Sequence, residues 1–578
     1  MNTYKRLLKY TPEKIHCVYI SIICAVLGVA SQMGAFWFLW KFLYAFLVTK
    51  NVTDGATYAT VIVALLGGYA IVYFLALWAS HVLGFRLESN LRKKAIIHMM
   101  NASFAFFDMN PSGKIRKLID DNAQDTHMLI AHLIPDNVSA IFTPLFMFLI
   151  VFAVDVKLGL LLVAITIIGG VQMMFMMGNK GFMKKYQAAL ERMNAEAVEY
   201  VRGMQIVKIF KSTVESFKAF YQAITDYSDL AYKYTLSCRT PYVIFQVLFN
   251  LFAVFTIPAA IYFMNKGADG TLIIAKCVFF ICIAGVLFSS FMRVMYVGMY
   301  NFQAKSVVDK LENLFSDMEK DNLEHGTEET FDNFGIEFKN VSFGYTEEKI
   351  LKDVSLKLAP NKTYALVGSS GGGKSTIAKL ISGFYKINSG EILIGGKNIS
   401  SYSRNALMRS IAFVFQTSKL FKTSIFENVR MGNKDASYDQ VINALKLARC
   451  EDILEKFPER EKTMIGSHGV HLSGGEIQRV AIARAILKNA NIIILDEASA
   501  AADPENEYEI QQAFSNLMKD KTVIMIAHRL SSIKNVDEIL VVEDGNIVER
   551  GSHAELMQKA GKYYHLQKLY SKANDWRV

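Results

Sequence analysis

"YALVGSSGGGKSTIAKLISGF", Tyr364–Phe384, decides the architecture of the C-terminal half of this 578-residue chain. The apolar run before Gly368 reads as a buried strand, and the run from Lys374 reads as a helix. Strand, glycine loop and helix start follow in the order that G-x-x-x-x-G-K-[ST] requires, met here by Gly368, Gly373, Lys374 and Ser375. Glycines let the backbone wrap a phosphate group, so Gly368, Ser369, Ser370, Gly371, Gly372, Gly373 and Thr376 form the expected cradle. Lys374 is expected to reach the β- and γ-phosphates, and Ser375 to supply a Mg²⁺ ligand.

Short β-rich runs alternate with helices from about Phe338 onward, an α/β signature. "NIIILDEASA" (Asn491–Ala500) is a buried strand ending in two acids. Asp496 is placed to hold the Mg²⁺ shell, and Glu497 to polarise the attacking water as general base. "VIMIAHRL" repeats the arrangement and leads to His528, whose imidazole could bond the γ-phosphate. Gln416 follows another apolar strand in "IAFVFQTSKLF", and Tyr345 in "VSFGY" could stack on adenine. Taken singly, each of these three is as readily a structural residue. About a hundred residues after the glycine loop, "VHLSGGEIQRVAIARAIL" (Val470–Leu487) is a second helix start suited to an anion.

The first three hundred residues differ in kind. The chain is 52% hydrophobic, and nearly all the long apolar runs lie in that half. Six are long enough to cross about 30 Å of hydrocarbon: Ile15–Val48, Tyr58–Phe85, Val138–Val154, Leu158–Met177, Val243–Met264 and Leu272–Val297. The first is too long for a signal-peptide core and is expected to remain as a span. A net charge of +10 would suit nucleic acid, but the basic residues sort by loop. The N-terminal tail carries Lys5, Arg6, Lys9 and Lys14, and the two long polar loops carry many more, including Arg92, Lys93, Lys94, Lys184, Lys185 and Arg202. By the positive-inside rule the tail, both long loops and the C-terminal domain are cytoplasmic. The six cysteines lack metal-ligand or disulfide spacing and read as buried thiols.

In the order Tyr345, glycine loop, Gln416, "LSGGE", "IIILDE" and His528, the sequence resembles the ATP-binding cassette (ABC) transporters of the exporter-type fold, over nearly the whole chain. The resemblance implies a multi-domain membrane protein: an all-α six-helix transmembrane domain (1–320), a linker (321–335) and a cytoplasmic α/β P-loop ATPase domain (336–578). It implies ATP hydrolysis with Mg²⁺ coupled to transport. Ser473, Gly474 and Gly475 would close over the γ-phosphate of ATP held by a second cassette, so the chain would be one half of a homo- or heterodimer. Asp503, retained after Glu497, is a further residue expected to bind the nucleotide. "FAFFDMNPSGKIRKLIDDNAQD" (Phe104–Asp125) and "EYVRGMQIVKIFKSTVESF" (Glu199–Phe217) resemble the two segments that couple cassette to membrane domain.

The chain departs from the family pattern at Glu476, where glutamine is commoner, at Ser467 and His468, where a glutamate is usual, and at Ala500 and Ala502. For the cargo, Arg293 in the sixth span is the leading contact candidate, for an anionic solute; snorkelling to the cytoplasmic edge or pairing within the bundle is the alternative. Gln32, Gln172, Gln246 and Asn250 could line the same cavity or bond between helices, and "QMMFMM" (Gln172–Met177) could be a binding surface or packing. "EYVRGM", "VKIF" and "DPENE" resemble a subset of exporter-fold transporters that import iron–siderophore complexes. The expected partners are a second half-transporter, the bilayer of a bacterial plasma membrane and a small-molecule cargo, with no nucleic acid. Efflux of drugs, lipids or peptides is the alternative, and a non-transport cassette ATPase or channel regulator a remote one.

Overall fold

The computed structural model describes residues 2–176, 180–209, 218–320, 323–346, 348–466, 469–496, 504–527 and 533–575. The chain divides into two compact units, Met1–Ile97 with Gly113–Leu314, and His98–Ser112 with Phe315–Val578.

The first unit is helical. A short α1 (Asn2–Leu8) precedes α2 (Ile15–Leu43) and α3 (Val52–Asn101). After α4 (Phe104–Met109), which belongs to the second unit, come α5 (Ser112–Val154), α6 (Val156–Met176), α7 (Lys180–Arg202), α8 (Met204–Ile209), α9 (Lys218–Asn265) and α10 (Gly270–Lys320). Among the described residues, five helices are long and apolar enough to cross a membrane: the one running from Pro12 to Val48, α3, α5, α6 and α10. The remaining expected span, Val243–Met264, falls in α9, where the apolar stretch recognised is the shorter Val254–Asn265.

Leu27, Phe74, Trp78, Leu149 and Phe175 are exposed on these helices, as expected of surfaces solvated by lipid. Inside the bundle, Met33, Trp40, Met147, Val151, Phe245, Phe279, Phe280 and Ile283 form one buried cluster. Small residues let α3 and α5 approach closely. Ser80 Oγ donates to Ala131 O at 2.6 Å, and a Cβ on Gly84 would lie 3.2 Å from His127 O. The amino-terminal helix is tied to the same unit by Tyr4, whose hydroxyl donates to Asn301 Oδ1 at 2.7 Å and accepts from Asn137 at 2.9 Å. Arg6 adds ion pairs to Asp309 and Glu312.

The second unit is α/β. Its strands are β1 (Ile336–Phe343), β2 (Leu351–Leu358), β3 (Thr363–Val367), β4 (Ser389–Ile394), β5 (Lys397–Asn398), β6 (Ile411–Val414), β7 (Ile492–Asp496), β8 (Thr522–Ile526), β9 (Glu538–Glu543) and β10 (Asn546–Gly551). They form an antiparallel sheet ordered β2-β1-β4-β5 and a six-stranded sheet ordered β10-β9-β3-β8-β7-β6. Strands β9, β3, β8, β7 and β6 pair in parallel and are largely buried, which explains their uninterrupted apolar runs.

The helices of this unit continue as α11 (Lys374–Ile381), α12 (Arg404–Ser410), α13 (Ile425–Arg430), α14 (Tyr438–Leu447), α15 (Glu451–Glu455), α16 (Gly474–Lys488), α17 (Pro504–Met518), α18 (His553–Lys559) and α19 (Lys562–Asp575). Helices α13, α14, α16 and α17 enclose an apolar cluster that includes Val429, Val441, Ile453, Val480 and Phe514.

The cysteines are less uniform than their spacing suggested: Cys17 and Cys450 are buried, Cys24, Cys238 and Cys277 half-buried, and Cys282 exposed. Burial pushes the Cys450 thiol up to about 12. As the thiolate is the reactive form, Cys450 is expected to resist alkylation at pH 8 in the native protein and to react once denaturant is added. Mass-spectrometric labelling with iodoacetamide checks this.

Candidate functional site

The parallel strands deliver several of the candidate site residues to one sheet edge. Because β3, β8, β7 and β6 run the same way, their C-terminal ends line up: the glycine loop follows Val367, Asp496 closes β7 opposite Ile526, and Gln416 follows β6. This is where open α/β sheets bind ligands. Glu497, Asp503 and His528 lie outside the described residues, as do Ser467, His468, Ala500 and Ala502.

Two glycines fix the loop's shape. Gly368 has φ +142°, and a Cβ there would lie 2.0 Å from Val542 O. Gly373 has φ +104° and is the left-handed residue that opens α11. Lys374, only 4% exposed, donates from Nζ to Gly368 O at 3.0 Å and to Ser369 O at 2.7 Å. Its charge is therefore held over the loop by the loop's own carbonyls. Ser375 and Thr376 follow on the first turn of α11, Ser375 half-buried and Thr376 buried. A hydroxyl at Ser375, a carboxylate at Asp496 and an amide oxygen at Gln416 are hard oxygen donors, the set that Mg²⁺ prefers.

Tyr345 sits in a nest of aromatic edges. Its ring meets Phe343 at 5.0 Å and Tyr385 at 5.4 Å, both nearly perpendicular, with Lys379 Nζ 5.6 Å from the ring centroid. Asp108, in the first coupling-like segment, accepts from the Tyr385 hydroxyl at 2.5 Å and from Lys379 Nζ at 3.2 Å. Phe104 stacks on Phe384 at 3.8 Å, and Arg404 donates to Asn101 Oδ1 and Met100 O at 2.6 Å. So the segment His98–Ser112 packs with the α/β unit, beside the residues that flank Tyr345. Nothing in the sequence pattern marked Tyr385 or Lys379. Burial and the Asp108 carboxylate push the Tyr385 hydroxyl well above its usual range, so it stays a donor. Replacing Asp108 with alanine is expected to cost about 1–3 kcal/mol, the cost of leaving a buried donor unpaired. Thermal melts of the variant, with Asp108→Asn as the intermediate case, check it.

The second helix start is built as its sequence implied. Ser473 is the N-cap of α16, its Oγ accepting from Glu476 N at 3.3 Å, and Glu476 Oε2 accepts from Ser473 N at 2.6 Å. This reciprocal capping box sets Gly474 and Gly475 on the first turn. Gly474 has open space where a Cβ would stand; Gly475 backs onto Asn506. Burial opposes the Glu476 charge, but Lys456 and the Ser473 N–H outweigh it and hold the carboxyl below its usual range. Arg479, one turn on, is 1% exposed and grips both oxygens of Asp452 at 2.7 and 2.9 Å.

In the helical unit, Arg293 is half-buried on α10. On α3, the Tyr73 hydroxyl donates to Asp136 Oδ1 at 3.3 Å and its ring stacks on Tyr69 at 5.5 Å. Gln172 Nε2 donates to Pro241 O at 2.8 Å, a bond between α6 and α9. Gln246 is exposed, Gln32 half-buried, and the side chain of Asn250 and residue Met177 lie outside the description. Of the methionine run, Met173 packs on the bundle core while Met174 is exposed. In the second coupling-like segment, residues 210–217 also lie outside it.

Comparison with known proteins agrees with this architecture. Residues 18–292 match the family model for the ABC transporter transmembrane region, and residues 351–500 that for the ABC transporter. A mycobactin import ATP-binding/permease protein of Mycolicibacterium smegmatis is 32% identical over 88% of this chain, which spans 59% of that protein's length. A putative multidrug export ATP-binding/permease protein of Bacillus subtilis is 32% identical, with 86% of this chain and 84% of the relative covered. An ATP-dependent lipid A-core flippase of Pectobacterium atrosepticum is 32% identical over 84% of this chain and 83% of its own. Among solved structures, a bacterial Atm1-family ABC exporter with ATP bound superposes with a TM-score of 0.77 at 26% identity, covering 96% of this chain and 98% of that one. With its glycine loop, its capped second helix start and its bundle of long apolar helices, the chain belongs to the ABC transporters, as an ATP-hydrolysing, membrane-embedded half-transporter of the exporter fold.

Proposed function

We propose that this half-transporter pairs with a second one, binds ATP and Mg²⁺ between the two cassettes, and moves an iron–siderophore or related metal chelate into a bacterial cell. In this reading residues 1–320 form the membrane domain, 321–335 the linker and 336–578 a cytoplasmic ATPase domain. The observation that carries the pairing is the presence of two anion-facing helix starts in one unit, α11 behind the glycine loop and α16 behind Ser473. One serves the nucleotide of this chain and the other that of the partner. Ser375, Gln416 and Asp496 would hold Mg²⁺, which when bound neutralises phosphate charge. Lys374 attracts the β- and γ-phosphates, Tyr345 flanks the base, Glu497 orients the attacking water and His528 bonds the γ-phosphate.

Support for the cargo comes from the mycobactin-import relatives, from the resemblance of "EYVRGM" and "DPENE", and from the membrane unit. Arg293, half-buried on α10, is suited to an anionic chelate, and the stacked Tyr69–Tyr73 pair to an aromatic one. The multidrug-export and flippase relatives, equally similar, favour efflux as the second reading. A deletion strain given labelled ferric siderophore or haem separates the two. Uptake is expected to fall and to return with the gene, but not with an Arg293→Ala variant. Unchanged accumulation with raised sensitivity to amphipathic toxins would establish efflux instead.

A further inference from the structure

The start of α16 contains an unusual charge. Glu476 closes the capping box through Oε2, a role glutamine fills equally well without charge. As a carboxylate it adds a full negative charge to the helix end that, in the paired reading, receives the partner's γ-phosphate. Its side chain is only 9% exposed, so water screens it poorly. The helix dipole favours one anion there; two anions compete for it and repel each other.

The structure supplies a counterion. Lys456, which follows α15, donates from Nζ to Glu476 Oε1 at 2.6 Å, while its own side chain stays 54% exposed. Among the described residues it is the cation within ion-pair distance of Glu476. The neighbouring base, Arg479, is engaged elsewhere: it binds Asp452, Arg449 O and Asn506 Oδ1. Asn506 in turn backs Gly475. Arg479 thus braces the helix, and neutralising the carboxylate falls to Lys456.

We propose that Lys456 is a positioning residue for ATP: by neutralising Glu476 it lets the Ser473–Gly475 helix start attract the γ-phosphate of the partner's nucleotide. The proposal rests on the paired reading above. Lys456 touches no reacting atom, so its effect belongs in the affinity for ATP rather than in the turnover step.

The test is ATPase kinetics of the full-length, assembled transporter with Lys456→Met, Lys456→Gln, Glu476→Gln and the Lys456→Met/Glu476→Gln pair. Each uncompensated-charge variant, Lys456→Met and Lys456→Gln alike, is expected to raise KM for ATP about five- to tenfold, with kcat within about twofold of native. Lys456→Gln can still hydrogen-bond Glu476, so an equal rise assigns the effect to charge. Adding Glu476→Gln to Lys456→Met is expected to restore the native KM. A KM within twofold of native in Lys456→Met, or a raised KM that the double variant keeps, overturns the proposal. So does a joint fall of kcat and melting temperature, which marks a purely structural role. Ser473→Arg is the control for the paired reading. If it is fully active, that reading fails; if it is inactive while Lys456→Met keeps its KM, only the role of Lys456 fails.

Discussion

Lys374→Ala is expected to abolish transport and to lower ATP turnover by at least about 10²-fold, the loss typical when one preorganised charge is removed from a phosphoryl-transfer site. The reason lies in its position. The ammonium donates to Gly368 O and Ser369 O, which fix it over the loop expected to wrap the phosphates. Because Lys374 is nearly fully buried, truncation also leaves a gap beside the loop. Stability and activity must therefore be read separately, by a thermal melt and a phosphate-release assay on the same preparation. A folded variant with more than a tenth of native turnover would remove Lys374 from the hydrolytic site.

The second large effect is on folding. Gly368→Ala is expected to destabilise the α/β unit by about 3 kcal/mol or more, since two penalties coincide. Its φ of +142° is one that side chains avoid, and the new Cβ would lie 2.0 Å from Val542 O. That oxygen belongs to β9, whose neighbouring residue Val541 pairs with Val367 on β3. No flexible side chain can yield; the strand itself must shift. Gly371→Ala is the informative contrast, because a Cβ there meets nothing within 4 Å and only its φ of +81° opposes the change. Chemical denaturation of both variants should show Gly368→Ala as clearly the weaker. Equal stabilities would mean that the close approach to β9 is not what fixes glycine at 368.

What was legible in the sequence was local. The glycine loop could be read because strand, strained turn and helix start are contiguous, and the second helix start because Ser473 and two glycines stand directly before an amphipathic run. The long apolar helices were legible because the bilayer fixes their length. What was not legible depends on residues brought together from far apart. Asp108 meets Tyr385 across 277 positions, so the aromatic nest around Tyr345 gave no sign in the linear pattern. Glu476 looked like a near-neutral replacement for glutamine until its burial and its pair with Lys456, twenty positions earlier, gave it an electrostatic consequence. The cysteines misled for a related reason. Spacing excluded a framework, but a thiol on a long apolar helix can face the bundle, like Cys17, or the outside, like Cys282.

The central claim is that ATP is cleaved only between two cassettes, each lending its Ser473 helix start to the other's glycine loop. Turnover per chain, measured across a dilution series in which light scattering reports the oligomeric state, tests this most directly. The account predicts that turnover disappears as the pairs dissociate, and that Ser473→Arg removes it at every concentration. A chain shown by scattering to be single, yet hydrolysing ATP at the full rate with Ser473 replaced, would contradict it.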